Sequence, residues 1–180
     1  MSNPTTPAEP TVRNLMTTLT SKDGLARKRA REELVEIGQP AVPHLLEALK
    51  DKQRYIRWEA AKALSEIGDP RAAAGLVAAL SDNDSGIRWM AAEGLIAVER
   101  EGLAPLLEAL VAHGESVWLR EGARHVLNVL AKNEKLPNPV APVLQALHGL
   151  APSIEAPRAA KMVASSKAPV GWVRLIWKNL

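Results

Sequence analysis

Ile56-Arg57-Trp58-Glu59-Ala60-Ala61-Lys62-Ala63-Leu64 is the stretch that decides the fold, because it returns 31 residues later as Ile87-Arg88-Trp89-Met90-Ala91-Ala92-Glu93-Gly94-Leu95. Looser copies stand at Leu119-Arg120-Glu121-Gly122-Ala123-Arg124-His125-Val126-Leu127 and at Ala26-Arg27-Lys28-Arg29-Ala30-Arg31-Glu32-Glu33-Leu34. An arginine holds the second place in all four, at 27, 57, 88 and 120. Self-similarity at a fixed period of this length marks a stack of supersecondary units.

Between the copies lies a second recurring element. Ala41-Val42-Pro43-His44-Leu45-Leu46-Glu47-Ala48-Leu49 matches Ala72–Leu80, Leu103–Leu110 and Val140–Leu147, and Val12–Leu19 has the same apolar spacing. Each places apolar residues at i, i+3, i+4 and i+7, the stripe of an amphipathic helix. Ile37-Gly38-Gln39-Pro40 and Ile67-Gly68-Asp69-Pro70 read as a glycine stop followed by a proline restart. No useful length alternates at period two, so strands are not expected. One helix pair cannot bury its own apolar face, and stacking pairs makes a continuous core. The reading is all-α: a right-handed α-solenoid of about five helix pairs over residues 10–165. Residues 1–9, rich in Pro and Thr, are expected to be disordered, and residues 166–180 form a basic, Trp-bearing tail.

The run I-R-W-E-A-A-K-A-L-S-E-I-G-D-P-R-A at 56–72 resembles the short HEAT-like repeat first described in phycobilisome lyases, and the designed HEAT-like scaffolds built on the same consensus. The likeness covers residues 10–131 well and 137–165 poorly. It is specific for fold and weak for function, since the repeat occurs in binding modules, lyase subunits and some enzymes.

With Ile56 at 0° and ~100° per residue, Ala60, Leu64 and Ile67 fall within about 80° and form the core stripe, while Trp58 falls near ~200°. Glu59 and Lys62 also lie away from the stripe. The equivalent places in the next copies hold Trp89, Met90 and Glu93, then Glu121, Gly122 and His125; Tyr55, Gly86 and Trp118 precede the apolar anchors. The resemblance implies that these places face a concave groove and carry binding residues. The protein has no Phe, five Trp and one Tyr, and four of those six aromatics project here. A cluster of exposed aromatics is what a protein-binding hot spot requires. The competing reading lays the tryptophans flat over neighbouring alkyl chains as cover for the alanine-rich seam. Under the binding reading Lys28, Glu59, Lys62, Glu93 and Glu121 make a mixed-sign rim, and His125 is a contact. The repeated arginines are expected to pair with loop carboxylates such as Asp51, Asp82 or Asp84.

Composition bounds the chemistry. The absence of cysteine excludes disulfides, thiol nucleophiles and cysteine-ligated metals. The four histidines, His44, His113, His125 and His148, form no HxxxH or HExxH arrangement, and the His-Glu pairs that the resemblance associates with metal-dependent hydroxylases are missing. No phosphate loop, nucleophile elbow or paired-carboxylate motif is present. No catalytic residue, metal or cofactor is therefore expected. The formal charge of +3 and pI of about 9.3 suggest nucleic acid. Residues 151–180, however, hold Arg158, Lys161, Lys167, Arg174 and Lys178 against Glu155 alone, so the excess belongs to the end of the chain and not to a basic face.

The sequence reading is thus a non-catalytic module binding an unidentified protein or peptide through Tyr55, Trp58, Trp89, Met90 and Trp118. One alternative is nucleic-acid binding through residues 27–31 and the tail. Another is a lyase-like or chaperone subunit for a cofactor-bearing protein. Three roles suit the tail: a cap on its own solenoid, a peptide docking on a partner, or a weak interfacial membrane contact. With no apolar run near the ~18 residues of a membrane span and an N-terminus neither basic nor apolar, a cytoplasmic monomer is expected.

Overall fold

In the computed structural model, which describes residues 9–165, the chain runs through α1 (Glu9–Thr18), α2 (Gly24–Ile37), α3 (Val42–Ala48), α4 (Arg54–Ile67), α5 (Ala73–Ala79), α6 (Ser85–Ala97), α7 (Leu103–His113), α8 (Val117–Lys132), α9 (Ala141–His148) and α10 (Pro152–Ser165). There is no strand among the described residues. The stop signals work as their chemistry demands. Gly38 and Gly68 end α2 and α4 at φ of 72° and 63°, a region that costs an L side chain strain. Short 3-10 turns at Gln39–Ala41 and Pro70–Ala72 restart the chain, the second capped by buried Asp69, which accepts from the Arg71 amide. Starts are capped as well: Asp23 accepts from Leu25 N, Asp84 from Gly86 N and Ile87 N, and Ser116 from Leu119 N.

The helices form two layers. The second helices α2, α4, α6 and α8 pack in sequence against one another; the first helices lie on the other side, α1 against α3 and α5 against α7. Leucines from both layers, among them Leu34, Leu45, Leu64, Leu76, Leu95, Leu106 and Leu127, are sealed from solvent between them. Ala60, Ala61, Ala91 and Ala92 are buried at the α4–α6 seam and let the two backbones approach. Of the expected stripe, Ile56, Ala60 and Leu64 are buried, whereas Ile67 at the end of α4 is only half-buried.

The recurring arginine has a use that the loop carboxylates did not suggest. Its Nη1 donates backward to carbonyls five and six residues earlier: Arg27 to Ser21 and Lys22, Arg57 to Asp51 and Lys52, Arg88 to Asp82 and Asn83, Arg120 to Gly114, at 2.7–3.2 Å. Those carbonyls follow the first helix of each pair, where backbone acceptors have lost their helical partners. Carboxylate pairing from the next loop is added at Arg57 alone of the four, through Nε and Nη2 to both oxygens of Asp82 at 2.7 and 3.1 Å, and Asp82 holds the Arg57 guanidinium above its ordinary pKa. The backbone is available in every repeat, and an aspartate is not. That difference corrects the expected carboxylate ladder.

The last pair is turned over. In a regular stack α10 would join the row of second helices beside α8. Instead it packs along α7 and α9, while α9 leans on α8. Pro157 of α10 sits so close to Gly114, at the end of α7, that a Cβ on Gly114 would meet its ring at 2.1 Å. Residues 137–165 therefore depart from the repeat in packing as they do in sequence.

Candidate functional site

Numbering each second helix from its arginine sorts the surface. The place two before the arginine holds Leu25, Tyr55, Gly86 and Trp118; the place after it holds Lys28, Trp58, Trp89 and Glu121. Helix–helix stacking brings these into two adjacent rows. The aromatics of the first row lie on the arginine of the preceding repeat: Arg27 stands 4.7 Å from the Tyr55 ring centre and Arg88 stands 4.0 Å from that of Trp118. Such cation–aromatic contacts are each worth about 0.5–1 kcal/mol at exposed sites. The Tyr55 hydroxyl donates to the Gln53 side-chain oxygen, with the Thr20 carbonyl 3.3 Å away. In the second row Trp58 rests 5.9 Å from Arg31, and Trp89 lies against the His125 ring at 4.9 Å with a 37° tilt.

One face of each ring is thus held and the other left open to a degree that varies along the row. Tyr55 and Trp58 are half-buried, while Trp89 and Trp118 are 53% and 51% exposed. The Trp58 ring lies against the start of α6, where a Cβ added at Gly86 would meet its indole nitrogen in ordinary contact at 3.4 Å and the Asp84 carboxylate more tightly at 3.1 Å. Beside it opens a cleft of about 410 Å³, lined by Arg27, Arg54, Tyr55, Trp58, Glu59, Asp84, Ser85 and Gly86. Arg54 bridges to Asp84 at 2.8 Å across this cleft. That contact, with the Ile87 and Gly86 amides, holds the Asp84 carboxyl below its ordinary pKa.

The rim is narrower than the helical projection implies. Glu59 does not face solvent: it is 5% exposed and paired with Arg31 at 3.0 Å and Arg27 at 3.5 Å. Met90, at the same register, is half-buried, and Gly122 makes room for Leu80, whose Cδ2 would stand 2.7 Å from an added Cβ. This place lies at the seam with the preceding repeat, because a second helix in a solenoid has neighbours on both sides. The outer rim is instead Lys62, paired with Glu66 at 3.0 Å; Glu93, 3.3 Å from His125 Nε2; and Glu121, paired with Arg124. Leu25 and Val117, each 55% exposed, together with Arg54 and Asp84 belong to the same edge. Their register relative to the arginine was the signal for them. Among the described residues no three His, Asp or Glu side chains converge as metal ligands would.

The basic run behaves differently from its sequence. Arg31 is buried on Glu59, Arg27 is spent on carbonyls and Tyr55, and Lys28 reaches Glu32 at 3.7 Å. Arg29 remains exposed. The tail residues 166–180 lie outside the described residues.

Fold and surface together define an α-solenoid repeat module that displays a ridge of aromatic side chains. Its sequence matches the family model for HEAT repeats over residues 10–96 and again over 42–128, and the chain belongs to that family. Among solved structures it is similar to a chain in the complex of CpcE and CpcF of phycocyanin lyase from Nostoc sp. PCC7120. The two are 25% identical and superpose with a TM-score of 0.57 over 87% of this chain and 99% of that one. No curated protein matches the sequence. Among the described residues no helix is long and apolar enough to cross a membrane.

Proposed function

We propose that this HEAT-repeat module is non-catalytic and binds a protein or peptide through the ridge of Tyr55, Trp58, Trp89 and Trp118. The observation that carries the reading is the state of Trp89 and Trp118: adjacent repeats, one ring face fixed on His125 or Arg88, about half of each side chain open. Such a ring is already ordered, so a partner that covers it gains apolar burial at little further entropic cost. The mixed charges of Lys62, Glu93, Glu121 and His125 then select the partner and its register. Among interface residues tryptophans are typical hot spots, and truncating one costs about 2 kcal/mol or more.

The first test is affinity capture from a source-organism lysate with the wild type beside a Trp89→Ser/Trp118→Ser variant. Both residues are half exposed, so the variant is expected to keep its helicity and most of its stability. A polypeptide retained by the wild type should fall by at least about 30-fold in affinity for the variant. Equal retention by the two would return the tryptophans to a covering role. A phosphate-binding mode would instead show retention collapsing between low and moderate salt. The few free cations left in the 27–31 run argue against it. The solved lyase complex supports a second reading, a subunit acting with a partner on a cofactor-bearing protein. An absorption change on mixing the protein with a free tetrapyrrole would favour it.

A further inference from the structure

The two ends of the solenoid are unlike. At the first pair the exposed side chains are mostly polar, Arg13, Asn14 and Thr17 on α1 and Arg29, Glu33 and Glu36 on α2, with Leu25 at 55% the large apolar exception. The last pair exposes apolar ones: Leu150 fully, Ile154 at 60% and Met162 at 72%. On α10 Ile154 and Met162 share one face with basic side chains. Ala156 and Ala160 are buried against α7 and α9, and Ile154, Arg158, Lys161, Met162 and Ser165 run down the opposite side at helical spacing. Ile154 and Met162 flank Arg158 and Lys161 on this face, and with Leu150 they leave three large apolar side chains open on a terminal repeat, which favours a cover.

We infer that residues 166–180 of the same chain are that cover, folding back along α10 over Leu150, Ile154 and Met162. The segment begins at the last residue of α10, which brings it to the edge of the open face with no connection to cross. Pro169 and Gly171 interrupt helix and permit the reversal. Beyond them come Trp172, Val173, Leu175, Ile176 and Trp177. The face from Met162 to Ile154 is ~12 Å long at ~1.5 Å per helical residue, and the stretch from Trp172 to Trp177 spans it when extended at ~3.3 Å per residue. Charge on this face is mixed, Glu155 on α10 and Glu108 on α7 beside Arg158 and Lys161, so apolar burial by the two tryptophans and the aliphatic residues between them, and not charge pairing, is what holds the segment. The cover is independent of the ridge reading, because it uses neither Trp89 nor Trp118.

Hydrogen exchange read by mass spectrometry on the full chain tests it, comparing wild type, Ile154→Ser/Met162→Ser and Trp172→Ser/Trp177→Ser. In the wild type, amides beyond residue 170 should exchange at least about 10-fold slower than unstructured reference rates, and each double variant should remove that protection and speed exchange in α10. Unchanged protection of α4 and α6 shows that the variants remain folded. Reference-rate exchange of the segment in the wild type overturns the inference. So does protection that depends on Trp89 and Trp118, which would seat the segment in the ridge, or protection that grows with protein concentration, which would place it on a second copy.

Discussion

Glu59 sits between two arginines with 5% of its surface exposed, Arg31 at 3.0 Å and Arg27 at 3.5 Å. Removing one partner of a buried ion pair leaves the other desolvated and unpaired, a cost of about 3–5 kcal/mol. Arg31 keeps Glu66 at 3.7 Å and Glu32 at 3.9 Å, which softens the loss. Glu59→Gln is therefore expected to destabilise the protein by about 2–3 kcal/mol, read as a lower urea midpoint with unchanged slope. Arg31→Met with Glu59→Leu should recover much of it, since apolar side chains of similar size incur no desolvation cost. A double variant no more stable than Glu59→Gln would mean that the pair is worth more than its packing. The result also separates structure from binding at this position, where a projection of one helix places a rim residue.

At the level of elements, much was legible and the reason is periodic chemistry. Glycine stops, proline restarts and the i, i+3, i+4, i+7 stripe are local signals, and each specified its helix. The four arginines were legible as a structural series, but their partners were not: a backbone carbonyl has no sequence signature, and an aspartate in the loop does. The inward turn of Glu59, Met90 and Gly122 depends on the neighbouring repeat, which a single helix does not encode. Nor does any short motif state that α10 lies on α7. That placement rests on Gly114, whose Cβ, if added, would stand 2.1 Å from Pro157 Cγ and 2.6 Å from the Leu110 carbonyl oxygen. The second atom is backbone and cannot swing aside. Gly114→Ala is thus expected to displace α10 and to cost about 1–3 kcal/mol, the range for overpacking. The matching signature is faster hydrogen exchange in α9 and α10 with α2–α6 unchanged; a variant as stable as wild type would show that the contact is slack.

Across the described residues, contacts run within a helix pair or between neighbouring pairs, as in any solenoid, so stability is set by each pair and its two neighbours. The middle helices α4 and α6 have a second helix on either side and first helices behind them, and they hold the alanine seam. The terminal helices have one flank, and in the turned-over last pair α9 alone leans on α8 while α10 barely touches it. Opening free energies should therefore fall from the centre toward both ends. Native-state exchange is expected to give α4 and α6 amides protection at least about 100-fold above that of α1 and α9, a difference of about 2.7 kcal/mol. Low denaturant should open the ends first and leave the centre closed. One common opening energy across all ten helices would mean instead that the stack unfolds as a single cooperative unit. The gradient bears on the ridge: Tyr55, Trp58 and Trp89 stand on α4 and α6, the helices expected to be most protected, so the proposed binding surface should keep its shape there, and Trp118 stands on α8, one step nearer an end.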